Sequence, residues 1–325
     1  MNEARRHEKY DALIRSCQGL DPIRMAVVHP CDEISLRATV EAASMRLIEP
    51  IIVGPGERIR ALAQSLGIDI RRIEHVVTPH SHASAEKAVQ IVRAGRADAL
   101  MKGSVHTDEL MAAVMHLDVG LRTERRMSHV FIMDVPSYRK PLFITDAAVN
   151  IFPTLEDKAD IAQNAIELAR ALGVQTPKVA ILSAVETVTS RIPSTIEAAA
   201  LCKMAQRGQI EGALLDGPLA FDNAINREAA AVKHIDSKVA GDADILLVPD
   251  LEAGNMLAKA LSFLAYADAA GLVLGARVPI IVTSRADNMR ARMASCAVAL
   301  LYVRSQWNAS GVMAAAARPL PAEAI

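Results

Sequence analysis

Three segments of the chain set charged or hydroxyl side chains next to small residues directly after an apolar run, and another crowds arginines ahead of one. The sharpest is PIIVTSRADN, residues 279–288, where an apolar run delivers Thr283, Ser284, Arg285 and Asp287 to the start of a helical segment. Placed there, Ser284 can hydrogen-bond a reacting oxygen, Arg285 can hold a phosphate with its planar fork, and Asp287 can take a proton. Charges directly after a buried strand cost desolvation unless paired, which favours function over accident. The second segment, ALMKGSVHT at 99–107, runs from apolar residues into Lys102, Gly103 and Ser104. Glycine admits close backbone approach, Ser caps and Lys brings positive charge, which suits a phosphate cradle at a helix start. An ordinary capped helix start suits these residues equally well.

The third segment, GLRTERRMSH at 120–129, carries Arg122, Arg125 and Arg126 within five residues. By itself this is a solvated loop; beside an anion site, arginines are the preferred bidentate partners of phosphate oxygens. In the fourth, LLDGPLAFDN, the small residues around Asp216, Gly217 and Pro218 would let a flat ligand lie against the backbone, with Asp222 as a helix cap. His80 and His82 have no acidic or Cys partner at ligand spacing, so they are expected in a surface turn and not at a metal. G-x-G-x-x-G, G-x-x-x-x-G-K-[ST], G-x-S-x-G and H-E-x-x-H do not occur.

The elements that must position these segments follow from the hydrophobic pattern. Short β-branched runs at 25–29, 50–53, 73–77, 97–101, 178–182, 212–215, 245–248 and 278–283 predict strands. Longer Ala-, Leu- and Glu-rich stretches between them predict helices, at 33–47, 57–66, 81–94, 155–172, 192–207, 223–234, 252–266 and from about 287 to 303. Fully apolar runs separated by helices mark parallel strands covered on both faces, hence an α/β fold. The rhythm breaks once, where 128–135 and 141–145 flank the short turn 136–140 and predict a hairpin. A hairpin inside an α/β chain often marks a change of domain, so a boundary is expected near 135–146.

The 325 residues suffice for two domains at ~100–200 residues each. A net charge of -1 argues against a nucleic-acid surface and leaves anion binding to local arginines. Four scattered cysteines (Cys17, Cys31, Cys202, Cys296) without a C-x-x-C pair fit a reducing cytoplasm. The charged N-terminus and the absence of a long apolar window predict neither a signal peptide nor a membrane span.

The blocks MKGSVHTDELM, GLRTERRMSHVFIMDVP, TDAAVNIFP, SAVETVTSRIPSTIEAA, GQIEGALLDGPLAFDNAI, GDADILLVPDLEAGN and PIIVTSRADN, in this order, resemble the phosphate acetyl/butyryltransferase family. The likeness runs from about residue 23 to 303, and DGPLAFDNA and TSRAD sit nearer the butyryl branch in wording. The resemblance implies two α/β domains of the isocitrate/isopropylmalate dehydrogenase-like type with a cleft between them. The first comprises 1–140 plus 280–325 and the second 141–279.

It also implies transfer of a short acyl group between CoA and inorganic phosphate in a ternary complex, without a covalent acyl-enzyme. CoA and acyl-CoA are then substrates, no metal or other cofactor takes part, and the enzyme is a cytoplasmic homodimer. Ser284 and Arg285 match the family's Ser-Arg pair. The acetyl-type base, seven residues after the serine, falls on Ala291, and a second arginine of that type falls near Ser262. Asp287, as in the butyryl-type Ser-Arg-Ala-Asp, is the nearest acid, and the identity of the base stays open. Two other readings compete. A metal- and NAD-dependent decarboxylating dehydrogenase of the same fold would want clustered acidic or His ligands and a dinucleotide loop. A non-catalytic CoA-binding regulator would have lost its base, as Ala291 hints.

Overall fold

Short apolar runs become strands and the Ala- and Glu-rich stretches become helices in the computed structural model, which describes residues 8–283 and 288–309. The chain enters on α1 (Glu8–Ser16). It then alternates through β1 (Ile23–Val28), α2 (Glu33–Ser44), β2 (Ile48–Gly54), α3 (Gly56–Leu66), β3 (Glu74–Val77), α4 (Ser81–Arg93), β4 (Ala99–Lys102) and α5 (Thr107–Met115). A hairpin of β5 (Ser128–Asp134) and β6 (Leu142–Thr145) interrupts, as its sequence predicts. The alternation resumes with α6 (Leu155–Ala171), β7 (Lys178–Leu182), α7 (Pro193–Gln206), β8 (Leu214–Leu219), α8 (Phe221–Ile225), α9 (Arg227–Val232), β9 (Ile245–Leu247) and α10 (Leu251–Leu264). It ends on β10 (Asp268–Leu274), β11 (Ile280–Ile281) and α11 (Met289–Ala309).

All these strands join one sheet in the order β3-β2-β1-β4-β11-β10-β5-β6-β9-β7-β8. The run β3 to β11 is parallel throughout, and so is the run β6 to β8. Between them β11-β10, β10-β5 and β5-β6 are antiparallel, so the two parallel arrays point in opposite directions. α11 lies against the middle of the sheet on β10 and also touches α1, α2 and α6. Its small residues Ala294, Ala297 and Ala299 are buried there and let it sit close to the strands. Among the described residues no helix is long and apolar enough to cross a membrane. All four cysteines are free thiols, with burial raising each thiol pKa to between about 11 and about 12.

Several boundaries depart from the sequence expectation. β10 was not anticipated: ADAAGLVL has little β-branched content, yet seven of its residues pair with β5. The strand expected at 278–283 contracts to Ile280–Ile281, the stretch that finds partners in β4 and β10. The helix expected at 223–234 splits at Asn226, whose side chain accepts from the N–H groups of Glu228 and Ala229 and starts α9. Asp222 is not a cap; it lies inside α8, behind Ala220 at the cap position. The strand expected at 212–215 continues to Leu219, which places Asp216, Gly217 and Pro218 inside β8 and not at a ligand-facing turn. The last helix starts at Met289, and Asn288 Oδ1 accepts from Ala291 N–H at 2.9 Å, filling the cap.

Candidate functional site

A cleft of about 740 Å³ opens over the middle of the sheet, between α5 on one side and α10 on the other. Its floor is His129 and Phe131 from β5 and Val273 from β10, and Asn255 and Lys259 of α10 form part of one wall. At one end Lys102 and Thr283 connect it to a second cavity of about 300 Å³, which adds Asp32, Ser35, Gly103, Ser104 and Arg292. Lys102, the last residue of β4, and Thr283 therefore border both spaces.

The Lys-Gly-Ser turn is built against β1. Gly103 N–H donates to Val28 O at 2.8 Å and Ser104 N–H to His29 O at 2.9 Å. Ser104 Oγ donates to His29 O at 2.7 Å and accepts from Cys31 N–H at 3.1 Å. A Cβ on Gly103 would stand 2.5 Å from Val28 O and 2.8 Å from the His29 carbonyl, so only glycine fits this approach. Gly103→Ala is expected to push the turn off β1. It should cost about 1–3 kcal/mol of stability, as overpacking does, and lower turnover together with the melting temperature. Thermal denaturation alongside an activity assay checks this; an Ala variant with unchanged melting would show that the turn can shift freely.

Lys102 is only 8 % exposed, and its Nζ lies 3.3 Å from Gly103 O. Arg292, one turn into α11, is 5 % exposed and donates from Nη1 to Thr283 Oγ1 at 2.7 Å. Lys102, Arg292 and the Thr283 hydroxyl thus line one small cavity together with the Asp32 carboxylate, and cationic and hydroxyl donors of this kind are suited to phosphate oxygens. Arg292 escaped the sequence reading. Its signal was a single charge interrupting the apolar run from Ala291 to Leu300.

The TDAAVN block shapes the opposite margin. Asp146, buried at the end of β6, accepts from the N–H groups of Ala148, Val149 and Asn150 at 2.9, 3.1 and 3.0 Å, and Ala148 and Val149 line the cleft. His129 is 3 % exposed, with its pKa pushed down to about 4 by burial, against the opposing pull of the Asp146 carboxylate. The ring is therefore neutral near pH 7.

The remaining sequence candidates sit elsewhere. Arg125 pairs with Glu167 of α6 at 2.8 Å. Arg126 donates from its backbone to Asp160 and from Nε to Asn150 Oδ1 at 2.6 Å, bracing the Asp146 turn. Arg122 is exposed, with a backbone bridge to Ala276. None of the three lines either cavity. Asp216, Gly217 and Pro218 lie on the edge strand at the far end of the sheet, where Gly217 packs against Ile181 and Ala198. His80 caps α4 by accepting from Ala83 N–H at 3.2 Å. Ser284, Arg285 and Asp287 lie outside the described residues; in sequence they follow Thr283, which borders both cavities.

Comparison with known proteins adds the family. The family model described as phosphate acetyl/butaryl transferase matches residues 80–300. A phosphate acetyltransferase of Rhizobium meliloti is 64% identical over 294 residues, 90% of this chain and 93% of its own length. A phosphate butyryltransferase of Clostridium acetobutylicum is 38% identical over 294 residues, 90% of this chain and 98% of its own length. Among solved structures, a branched-chain phosphotransacylase from Enterococcus faecalis V583 superposes with a TM-score of 0.76 at 29% identity, covering 86% of this chain and 99% of the other. A 4-hydroxythreonine-4-phosphate dehydrogenase from Burkholderia phymatum shares the fold alone, with a TM-score of 0.53 at 11% identity over 87% of this chain and 98% of that one. The matched span takes in Lys102, Thr283 and Arg292 at the cationic end and His129 on the cleft floor. By that match and by the closeness of its relatives, the chain belongs to the phosphate acetyl/butaryl transferase family.

Proposed function

We propose that this chain transfers a short acyl group, acetyl to butyryl, between coenzyme A and inorganic phosphate, giving acyl phosphate and free CoA reversibly. The observation that carries the reading is that buried Lys102 and Arg292 line one small cavity with Thr283, and that this cavity adjoins a larger, partly apolar cleft. Phosphate occupies the cationic end, and the acyl-CoA lies along the apolar part. In this ternary complex a phosphate oxygen attacks the thioester carbonyl carbon, the C–S bond breaks, and the CoA sulfur leaves and takes up a proton. In reverse the thiol, with pKa near 8.5 in free form, gives up that proton as it attacks the acyl phosphate.

Ser284 donates to the carbonyl oxygen as negative charge develops on it, an interaction worth about 3–4 kcal/mol where such donors have been removed. Arg285 holds phosphate together with Lys102, and Gly103 and Ser104 shape the cradle. Asp287 exchanges the proton with the CoA sulfur. CoA and acyl-CoA are substrates; no metal or further cofactor enters the step. The reading includes a cytoplasmic homodimer with two domains, 1–140 plus 280–325 and 141–279. Support for that division comes from the two oppositely directed parallel arrays and from the cleft walls, α5 in the first part and α10 in the second.

The test is an assay of acetyl-, propionyl- and butyryl-CoA with phosphate, following thiol release without added metal or nucleotide. Phosphate-dependent release of CoA from at least one of them is expected. If none of the three turns over, the reading fails.

A further inference from the structure

The floor of the cleft carries a polar side chain that the transfer chemistry above leaves unused. His129 stands on β5 among apolar neighbours; Phe131 meets its ring edge-on, with centroids 4.3 Å apart, and Val273 lies beside it in the floor. On its other side the ring lies over Gly271 of β10. A Cβ there would sit 2.7 Å from Nε2 and 2.8 Å from Cε1, so the missing side chain makes the room the imidazole occupies. The backbone is fixed too, because Thr145 Oγ1 donates to His129 O at 2.9 Å.

Within this mount, Nδ1 is buried and has no hydrogen-bond partner among the described residues. A buried polar atom left unsatisfied costs about 1–3 kcal/mol, and such groups call for an explanation in a native structure. Here the side chain borders the cavity that is to hold a substrate. The neighbours decide which part of the substrate. A neutral imidazole offers one N–H and one lone pair, without charge to attract phosphate. Val105, Met111, Phe131, Val149, Val273 and Val282 would strip water from any ion placed beside it. The group that fits is an uncharged carbonyl flanked by apolar chain.

Resting on the acyl-transfer reading, we propose that His129 hydrogen-bonds a carbonyl of the acyl-CoA, in the thioester or the adjoining pantetheine amide, and so positions the thioester for attack. Gly271 and Phe131 hold the ring for that purpose.

Three variants of the full chain test this: His129→Phe, His129→Asn and His129→Gln. In His129→Phe, kcat/KM for acyl-CoA is expected to fall about tenfold, as one lost hydrogen bond would give, while KM for phosphate changes less than twofold. Asn or Gln, each returning a neutral donor near one ring nitrogen, should recover most of the loss. A residue that only fills space predicts the opposite order, with Phe the mildest change and both substrates affected alike; that result overturns the proposal. In the unaltered chain, ring nitrogen-15 resonances of His129 should shift when acyl-CoA is added and stay in place with inorganic phosphate alone. This readout needs no variant to fold, and an unmoved resonance under acyl-CoA overturns the proposal. Absence of turnover in the unaltered chain overturns the transfer reading and this role with it. Normal turnover that survives in His129→Phe overturns only the role of His129.

Discussion

Arg292→Met is expected to lower kcat/KM for phosphate about a hundredfold while leaving KM for acyl-CoA within a few-fold. The guanidinium is buried at the cationic end of the cleft and donates to Thr283 Oγ1. A hydrogen bond to a charged group contributes about 1.5–3 kcal/mol, which corresponds to roughly ten- to more than a hundredfold in rate or affinity. Methionine fills most of the vacated volume but leaves the Thr283 hydroxyl without its buried donor, so the melting temperature is expected to fall as well. The selective loss toward phosphate, which a general loss of stability would not give, is the readout. Arg292→Lys should fall between the two, because it keeps the charge but not the planar fork. Steady-state kinetics with each substrate varied in turn decides the matter. Equal loss toward both substrates would reduce Arg292 to a support for Thr283, and Thr283→Val would then reproduce its phenotype.

Asp287→Asn is expected to lower turnover about a hundredfold or more, the effect of removing a positioned general base. A carboxylate just ahead of a helix can instead serve as its cap. Asn288 holds that position, accepting from Ala291 N–H, so capping does not require Asp287. Asparagine keeps the size and polarity of the side chain, and little change in melting temperature should accompany the kinetic loss. Turnover near that of the unaltered chain would move the proton transfer elsewhere. The next carboxylate to test would be Asp32, the one acidic residue among the described residues lining the two cavities, although its Oδ1 already accepts from Ser35 N–H to cap α2.

How much of this was legible in the chain depends on the range of the interaction concerned. Met25, Ala26, Val27 and Val28 are buried on both faces of β1, and a strand covered on both sides must be apolar at every position. Runs of that kind stand out in a sequence, and β1, β2, β4, β7 and β9 were all visible through them. The hairpin was visible for a similar local reason, two apolar runs around Pro136-Ser137-Tyr138-Arg139-Lys140. The Lys102-Gly103-Ser104 turn was legible as a strand-to-helix junction, but the cavity beside it, and Arg292 in the lining of that cavity, were not.

By itself, then, the sequence determined the α/β class, the alternation of elements, the family blocks and the Ser284-Arg285-Asp287 cluster, because each is written in contiguous residues. The tertiary structure decided what contiguous residues cannot encode. Asp-Gly-Pro at 216–218 has the composition of a ligand-facing turn, yet pairing with β7 draws it into an edge strand far from the cleft. Arg125 and Arg126 look like an anion trap until α6 supplies Glu167 and Asp157 to engage their guanidinium groups. The strand Asp268–Leu274 is too rich in Ala and Gly to announce itself, and it exists because β5 and β11 flank it. Gly271 is small for a reason held on another strand, the imidazole of His129 lying over it. In each case the deciding partner is distant along the chain, and only closure of the sheet brings it within a few ångströms.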